Sequence, residues 1–222
     1  MTRDGRGRVY RLVDGPANVY LVDDGELTLV DGGVPKDAKR IRDGIRALGF
    51  AVAEVDRVLL THYDYDHVGA LASLGLSAPV YAGEPDATYL VGAAEPPLVN
   101  RKGLLQRALG RSLDHPDLYA YPVADGDRIG GFVAHHTPGH TAGHMAYFHE
   151  DSGVAFLGDC VRSKGGTLHP MPSVLCADAE ENARSIRKLE ERLPTFDVAA
   201  PGHGDPITAD VSGVLTRLAA ES

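Results

Sequence analysis

Four side chains able to bind a metal, His62, Asp64, Asp66 and His67, fall within six residues of the stretch Leu59-Leu60-Thr61-His62-Tyr63-Asp64-Tyr65-Asp66-His67-Val68-Gly69. An apolar run from Val58 to Leu60 leads in, and Val68, Ala70 and Leu71 lead out as the start of a helix. In an extended or turning segment, positions 62, 64 and 66 project the same way, because side chains alternate with period two. His67 begins the next element and can turn back towards the same point. Two imidazoles and two carboxylates so placed suit one or two divalent ions. Three clusters downstream offer matching groups. Thr137-Pro138-Gly139-His140-Thr141-Ala142-Gly143-His144 puts His140 on a loop shaped by Gly and Pro. Phe156-Leu157-Gly158-Asp159 ends an apolar run with a carboxylate, and Pro201-Gly202-His203-Gly204 ends another with a histidine between glycines. Each sits at the end of a strand-like run, where a rigid sheet can hold a loop in place.

Together these motifs resemble the metallo-β-lactamase-fold hydrolases, the superfamily of glyoxalase II, lactonases and β-lactamases. The family motif His-x-His-x-Asp-His reads here His62-x-Asp64-x-Asp66-His67, and the later family ligands fall in order on His140, Asp159 and His203. The resemblance runs from about Val9 to Pro206; its one departure is Asp64, where the family usually has histidine. It implies an α+β fold, a four-layer αββα sandwich. It also implies two divalent ions, one held by His62, Asp64 and His140 and the other by Asp66, His67 and His203, with Asp159 bridging. Zinc is the first expectation, and the harder Asp64 carboxylate favours tolerance of manganese or iron. A hydroxide bridging the ions would be the nucleophile, with Asp66 the catalytic candidate for proton transfer as well as a ligand.

The neighbours divide into supports and bystanders. His144, at i+4 from His140, is expected to orient a ligand through its ring nitrogen, and His136 to support the loop. His135, His149 and His115 read as surface. His169 could line the pocket after Asp159. Arg162 and Lys164 could hold a substrate carboxylate or be exposed loop charges. Tyr63 and Tyr65 alternate with the ligands and point away if the segment stays extended; a twist would let Tyr65 reach a substrate oxyanion. Cys160 reads as a buried thiol, Asn18 as a turn or strand residue, and Asp31 as a strand-end carboxylate near the site without a catalytic role.

The elements that must position these groups follow from periodicity. Residues 8–13, 17–22 and 26–31 read as an antiparallel meander with Asp-Gly turns. Pro35 starts a helix to about Leu48, and 57–60 is the strand feeding the metal loop. A short helix covers 67–74, and a strand covers 79–82. Further strands are expected at 127–136, 144–149, 153–158 and 196–200. Asp178-Ala179-Glu180-Glu181 is a capping box opening a helix to Leu193, and a last helix spans about 210–220. Between them, 84–121 reads as two short helices and a loop carrying Tyr119 and Tyr121. That is long for a plain connection. One domain over 1–222 with a helical cap insertion at 84–121 is the expected organisation.

At 222 residues, 43% hydrophobic and 24% charged, the composition is that of a globular domain with a full core. A net charge of −9 argues against a nucleic-acid partner. No apolar run suits a membrane span and the N-terminus lacks a secretory pattern, so the cytoplasm is expected, with two cysteines that make no disulfide framework. The expected partner is a small-molecule substrate, and a homodimer is left open. The leading functional expectation is hydrolysis of an ester, thioester or lactone. The resemblance disfavours a β-lactam substrate, a glutathione-domain-bearing glyoxalase II and a nuclease. The alternative is an oxidoreductase resembling the mono-iron persulfide dioxygenases, using His62, His140 and Asp159. A metal-binding protein without catalysis is the third reading.

Overall fold

A computed structural model describes residues 7–98, 100–113 and 118–221 of the chain. His115 lies outside the described residues. Strands β1 (Arg8–Val13), β2 (Val19–Asp23), β3 (Leu27–Val30), β4 (Val55–Leu59), β5 (Val80–Gly83) and β6 (Ala120–Val123) form one sheet in sequence order. The first three pair antiparallel, and β3 to β6 run parallel. The second sheet runs β11 (Thr167–Pro170), β10 (Val154–Lys164), β9 (Met145–His149), β8 (Phe132–His136), β7 (Arg128–Ile129). Strand β12 (Val198–His203) adds to β10 in parallel.

Alternation along each strand sorts side chains into separate cores. In β2, Val19 and Leu21 face out towards α1 (Ala38–Ala47), where Ile41 and Ile45 are buried one turn apart. Tyr20 and Val22 face in, against Phe132, Tyr147 and Phe156 of the other sheet. In β10, Ala155 and Leu157 pack out on Ile186 and Leu189 of α6 (Ala179–Arg192) and Leu215 of α7 (Val211–Glu221). Helix, sheet, sheet and helix thus stack as the four expected layers. Asp178 caps α6 by accepting from Glu181 N at 2.9 Å, the first half of the expected capping box. Among the described residues no helix is long and apolar enough to cross a membrane.

Several elements depart from expectation. The 67–74 helix is split into α2 (Tyr65–Val68) and α3 (Leu71–Leu74). The 127–136 run turns at Gly130, whose φ of 57° suits glycine, and becomes the β7–β8 hairpin. Strand β10 continues past 158 to Lys164 and returns as β11 through Gly165 and Gly166, both left-handed. The 84–121 segment holds α4 (Asp86–Leu90) and α5 (Arg101–Gly110), and its end is the edge strand β6, which tolerates Pro122.

Candidate metal centre

His62 and Asp64 lie in the turn after β4, and Asp66 and His67 lie in α2, so turn and helix start together present four groups to one point. Asp159 comes from inside β10, not its end. It sits at a bulge where the register against β12 shifts, with Gly158 at φ 49°. His203 ends β12, and the turn beyond it is fastened by buried Asn18, which donates to Pro201 O at 2.9 Å and Gly204 O at 2.7 Å. Gly202 beside it is required: a Cβ there would lie 2.2 Å from Asp159 Oδ1.

These loops bring all seven expected ligands together. Three overlapping groups, His62–Asp64–His140, Asp66–His67–His203 and His62–His67–Asp159, each have donor atoms within 4.8 Å of one another. Asp159 Oδ2 lies between the first two, 3.4 Å from His140 Nε2 and 3.0 Å from His203 Nε2. Asp66 stands 3.6 Å from His203.

Hydrogen bonding fixes the tautomers. Asp31 Oδ2 accepts from His67 Nδ1 at 2.8 Å, which turns the Nε2 lone pair inward. Thr61 donates its hydroxyl to Asp31 at 2.9 Å and lies 3.0 Å from His62 Nδ1, so His62 Nε2 also faces the cluster as an acceptor. Within the described residues, His62 Nε2, His67 Nε2 and Asp159 Oδ1 are buried without a hydrogen-bond partner. Buried imidazole nitrogens and a carboxylate oxygen that converge with no protein partner suit a cation. Burial, then the neighbouring His67, pushes His62 down to about 3. Burial works against charge at His67 too, but Asp159 and Asp31 outweigh it and hold the ring well above the usual range. At Asp159 burial is likewise overcome, chiefly by His67 and His203, so its carboxyl is held well below the usual range.

The neighbours fall as follows. His144 Nε2 accepts from Asp159 N at 2.9 Å and its Nδ1 meets Thr137 Oγ1 at 2.8 Å, so it braces the Asp159 backbone. His136 Nε2 holds Ala142 O at 2.9 Å, within the loop it was expected to support. His149 and His135 are buried, contrary to a surface position; His149 joins the inter-sheet core and meets Asp24 Oδ2 at 2.9 Å. A cavity of about 530 Å³ opens beside the cluster, walled in part by Tyr65, Leu105, Leu109, Arg162, Met171 and Leu175. Tyr63 is instead buried against Tyr89. His169 pairs across from Arg162 on β11, and Lys164 is exposed at the end of β10; neither forms part of this wall. Cys160 is fully buried, and burial pushes its thiol up.

Three participants were not anticipated. Lys102, only 4% exposed, bonds Asp64 Oδ2 and lies 2.7 Å from His140 Nε2. Gln106, one turn on, donates to Asp64 Oδ1 at 2.9 Å and to Tyr63 O at 2.7 Å. Asp86 accepts from Tyr63 N, Thr141 Oγ1 and Gly143 N at 2.8, 2.7 and 3.1 Å, tying the first metal loop to the His140 loop. No motif marks them. The signal that could have pointed to Lys102 is Asp64, a half-buried carboxylate among other acidic groups that calls for a cation.

The profile described as the metallo-beta-lactamase superfamily matches residues 12–203. The chain belongs to the metallo-beta-lactamase superfamily. Among its relatives is a probable metallo-hydrolase, YflN, of Bacillus subtilis (strain 168), 27% identical over 230 residues covering 91% of this chain and 86% of that one. A hydroxyacylglutathione hydrolase of Cereibacter sphaeroides is 32% identical over 190 residues, 83% of this chain and 61% of its own length. The crystal structure of TTHA1623 in a di-iron-bound form superposes with a TM-score of 0.70 at 29% identity, covering 94% of this chain and 98% of that one. Superfamily membership and the four-layer sandwich agree with the resemblance read from the motifs.

Proposed function

We propose that this metallo-beta-lactamase superfamily protein is a metal-dependent hydrolase of small esters, thioesters or lactones. The observation that carries the reading is the set of buried, unpartnered lone pairs on His62, His67 and Asp159 beside a cavity with apolar walls. His62, His67 and Asp159 would hold a divalent ion, which when bound would lower the pKa of a water and polarise a carbonyl oxygen. The chain's own residues do the rest. Asp31 and Thr61 keep the histidine lone pairs pointed inward. Asp66, on the cavity wall, takes the proton of the attacking water and returns it to the departing alkoxide or thiolate. Arg162, also on the wall with its Nε buried and unpartnered, holds a substrate carboxylate. Leu105, Leu109 and Leu175 are 44%, 40% and 38% exposed, and we assign them, with α5 as the cap, to an apolar portion of the substrate. Similarity to a protein named hydroxyacylglutathione hydrolase supports acyl-group hydrolysis. Two free, buried cysteines accord with the cytoplasm.

Zinc is the proposed native metal, with iron the competitor suggested by the di-iron form of TTHA1623. The iron oxidoreductase alternative would need His62, His140 and Asp159; His140 Nε2 already meets Lys102, which stands against it. The test is a panel of esters, thioesters and lactones beside a thiol persulfide, with oxygen uptake recorded. Hydrolysis that needs metal, without oxygen uptake, is expected. Oxygen uptake with the persulfide and no hydrolysis would overturn the reading.

A further inference from the structure

We propose that the Lys102 ammonium occupies the first metal subsite, so that this chain carries one metal ion, in the subsite of Asp66, His67, His203 and Asp159. The proposal rests on the metal-dependent reading above and replaces the expected pair of ions by one ion and one fixed organic cation.

Lys102 lies in the first turn of α5 and reaches inward to the two atoms a first ion would need, Asp64 Oδ2 and His140 Nε2. An ammonium has only donors, so at 2.7 Å it uses the His140 Nε2 lone pair. The other Asp64 oxygen is taken by Gln106 at 2.9 Å. Two of the three first-subsite groups therefore meet protein donors, and among the described residues His62 Nε2 and the far ring nitrogen of His140, Nδ1, remain without a partner. In the second subsite His67 Nε2 and Asp159 Oδ1 are both unpartnered.

The placement of the lysine is built in. Asn100 caps α5 by accepting from Gly103 N at 2.8 Å. A Cβ on Gly103 would lie 1.9 Å from Pro97 O, so the helix start is packed against the segment before it. Gln106 anchors the next turn to Tyr63 O at 2.7 Å. A lysine buried to this degree needs a fixed counter-charge, and Asp64 provides it.

Charge accounts for the departure from the family motif. A neutral imidazole at position 64 suits a divalent ion; a carboxylate there suits an ammonium, and the pair sums to zero. A divalent ion in the same place would meet a like charge at bonding distance. Lys102 also lines the cavity, where an ammonium can donate to a substrate carbonyl oxygen, the task otherwise given to the first ion.

The experiment counts ions. Protein saturated with Zn²⁺ and freed of excess is analysed for metal per chain, and a Mn²⁺-loaded sample is examined by electron paramagnetic resonance. Wild type should hold one ion per chain, with a Mn²⁺ spectrum free of exchange coupling. Lys102→Met, and Lys102→Met with Asp64→His in case the unpaired carboxylate prevents folding, should take up a second ion and show coupling. Two ions and a coupled spectrum in wild type overturn this proposal and leave the hydrolase reading standing. One ion in both folded variants overturns it as well. A wild-type chain that binds no ion overturns both.

Discussion

Asp31 shows how much of the site hangs on one residue. Its φ of 62° lies in the left-handed region, uncommon for any residue but glycine, and its carboxylate is buried. From there it accepts from Thr61 N at 2.8 Å, from the Thr61 hydroxyl and from His67 Nδ1. One carboxylate thereby orients two histidines that face each other with ring centroids 4.1 Å apart. Asp31→Asn should leave the fold intact and weaken metal binding by roughly 10–100-fold, measured by competition with a chromophoric chelator. Unchanged affinity would show that the His67 ring is held by packing alone. The sequence placed Asp31 near the site but gave no sign of this role, because a left-handed backbone and a contact 36 residues away leave no local pattern.

At the scale of elements, the candidate ligands that follow or end strands were legible because each motif couples an apolar run to Gly, Pro or His at a fixed spacing. His62 follows β4, His140 follows β8 and His203 ends β12, while His67 turns in from α2. What was not legible is α5. Its inward residues Lys102 and Gln106 are polar, and its apolar Leu104, Leu105 and Leu109 are 58%, 44% and 40% exposed, so the burial pattern runs opposite to hydrophobic periodicity. Strand β6 was hidden in the same way, by Pro122 and the outward Tyr121. The reversal fits a helix whose apolar side awaits a substrate. Leu105→Ser with Leu109→Ser should leave metal content unchanged and raise KM about tenfold for substrates with an apolar acyl chain, about 1.4 kcal/mol of lost contact. Equal KM changes for small polar and long apolar substrates would remove α5 from substrate binding.

For the whole molecule, the sandwich works only if the two sheets keep their relative position, since the candidate ligands come from both. Asp86 is one of the ties, joining Tyr63 N after β4 to Thr141 and Gly143 between β8 and β9. Burial, the largest influence, raises its carboxyl to about 6 from an ordinary 3.8. A carboxyl raised on folding contributes stability that is fully present below its unfolded value and lost as pH rises through the folded one. Folding free energy of metal-free wild type should thus fall relative to Asp86→Asn between about pH 4 and 7, by on the order of 3 kcal/mol. Parallel urea-denaturation curves across that range would show that Asp86 does not titrate on folding. The layered fold was readable from alternation and the motif order; this tie was not, because the Asp86 partners are backbone and hydroxyl donors that carry no sequence signature. The proposed hydrolysis depends on a metal held where these loops converge. The direct measurement is the hydrolysis rate of the ester, thioester and lactone panel before metal removal, after it, and after restoring Zn²⁺. The rate should vanish with the metal and return with it, while Asp159→Ala stays inactive after the same treatment. Hydrolysis that persists in the metal-free chain would contradict the account.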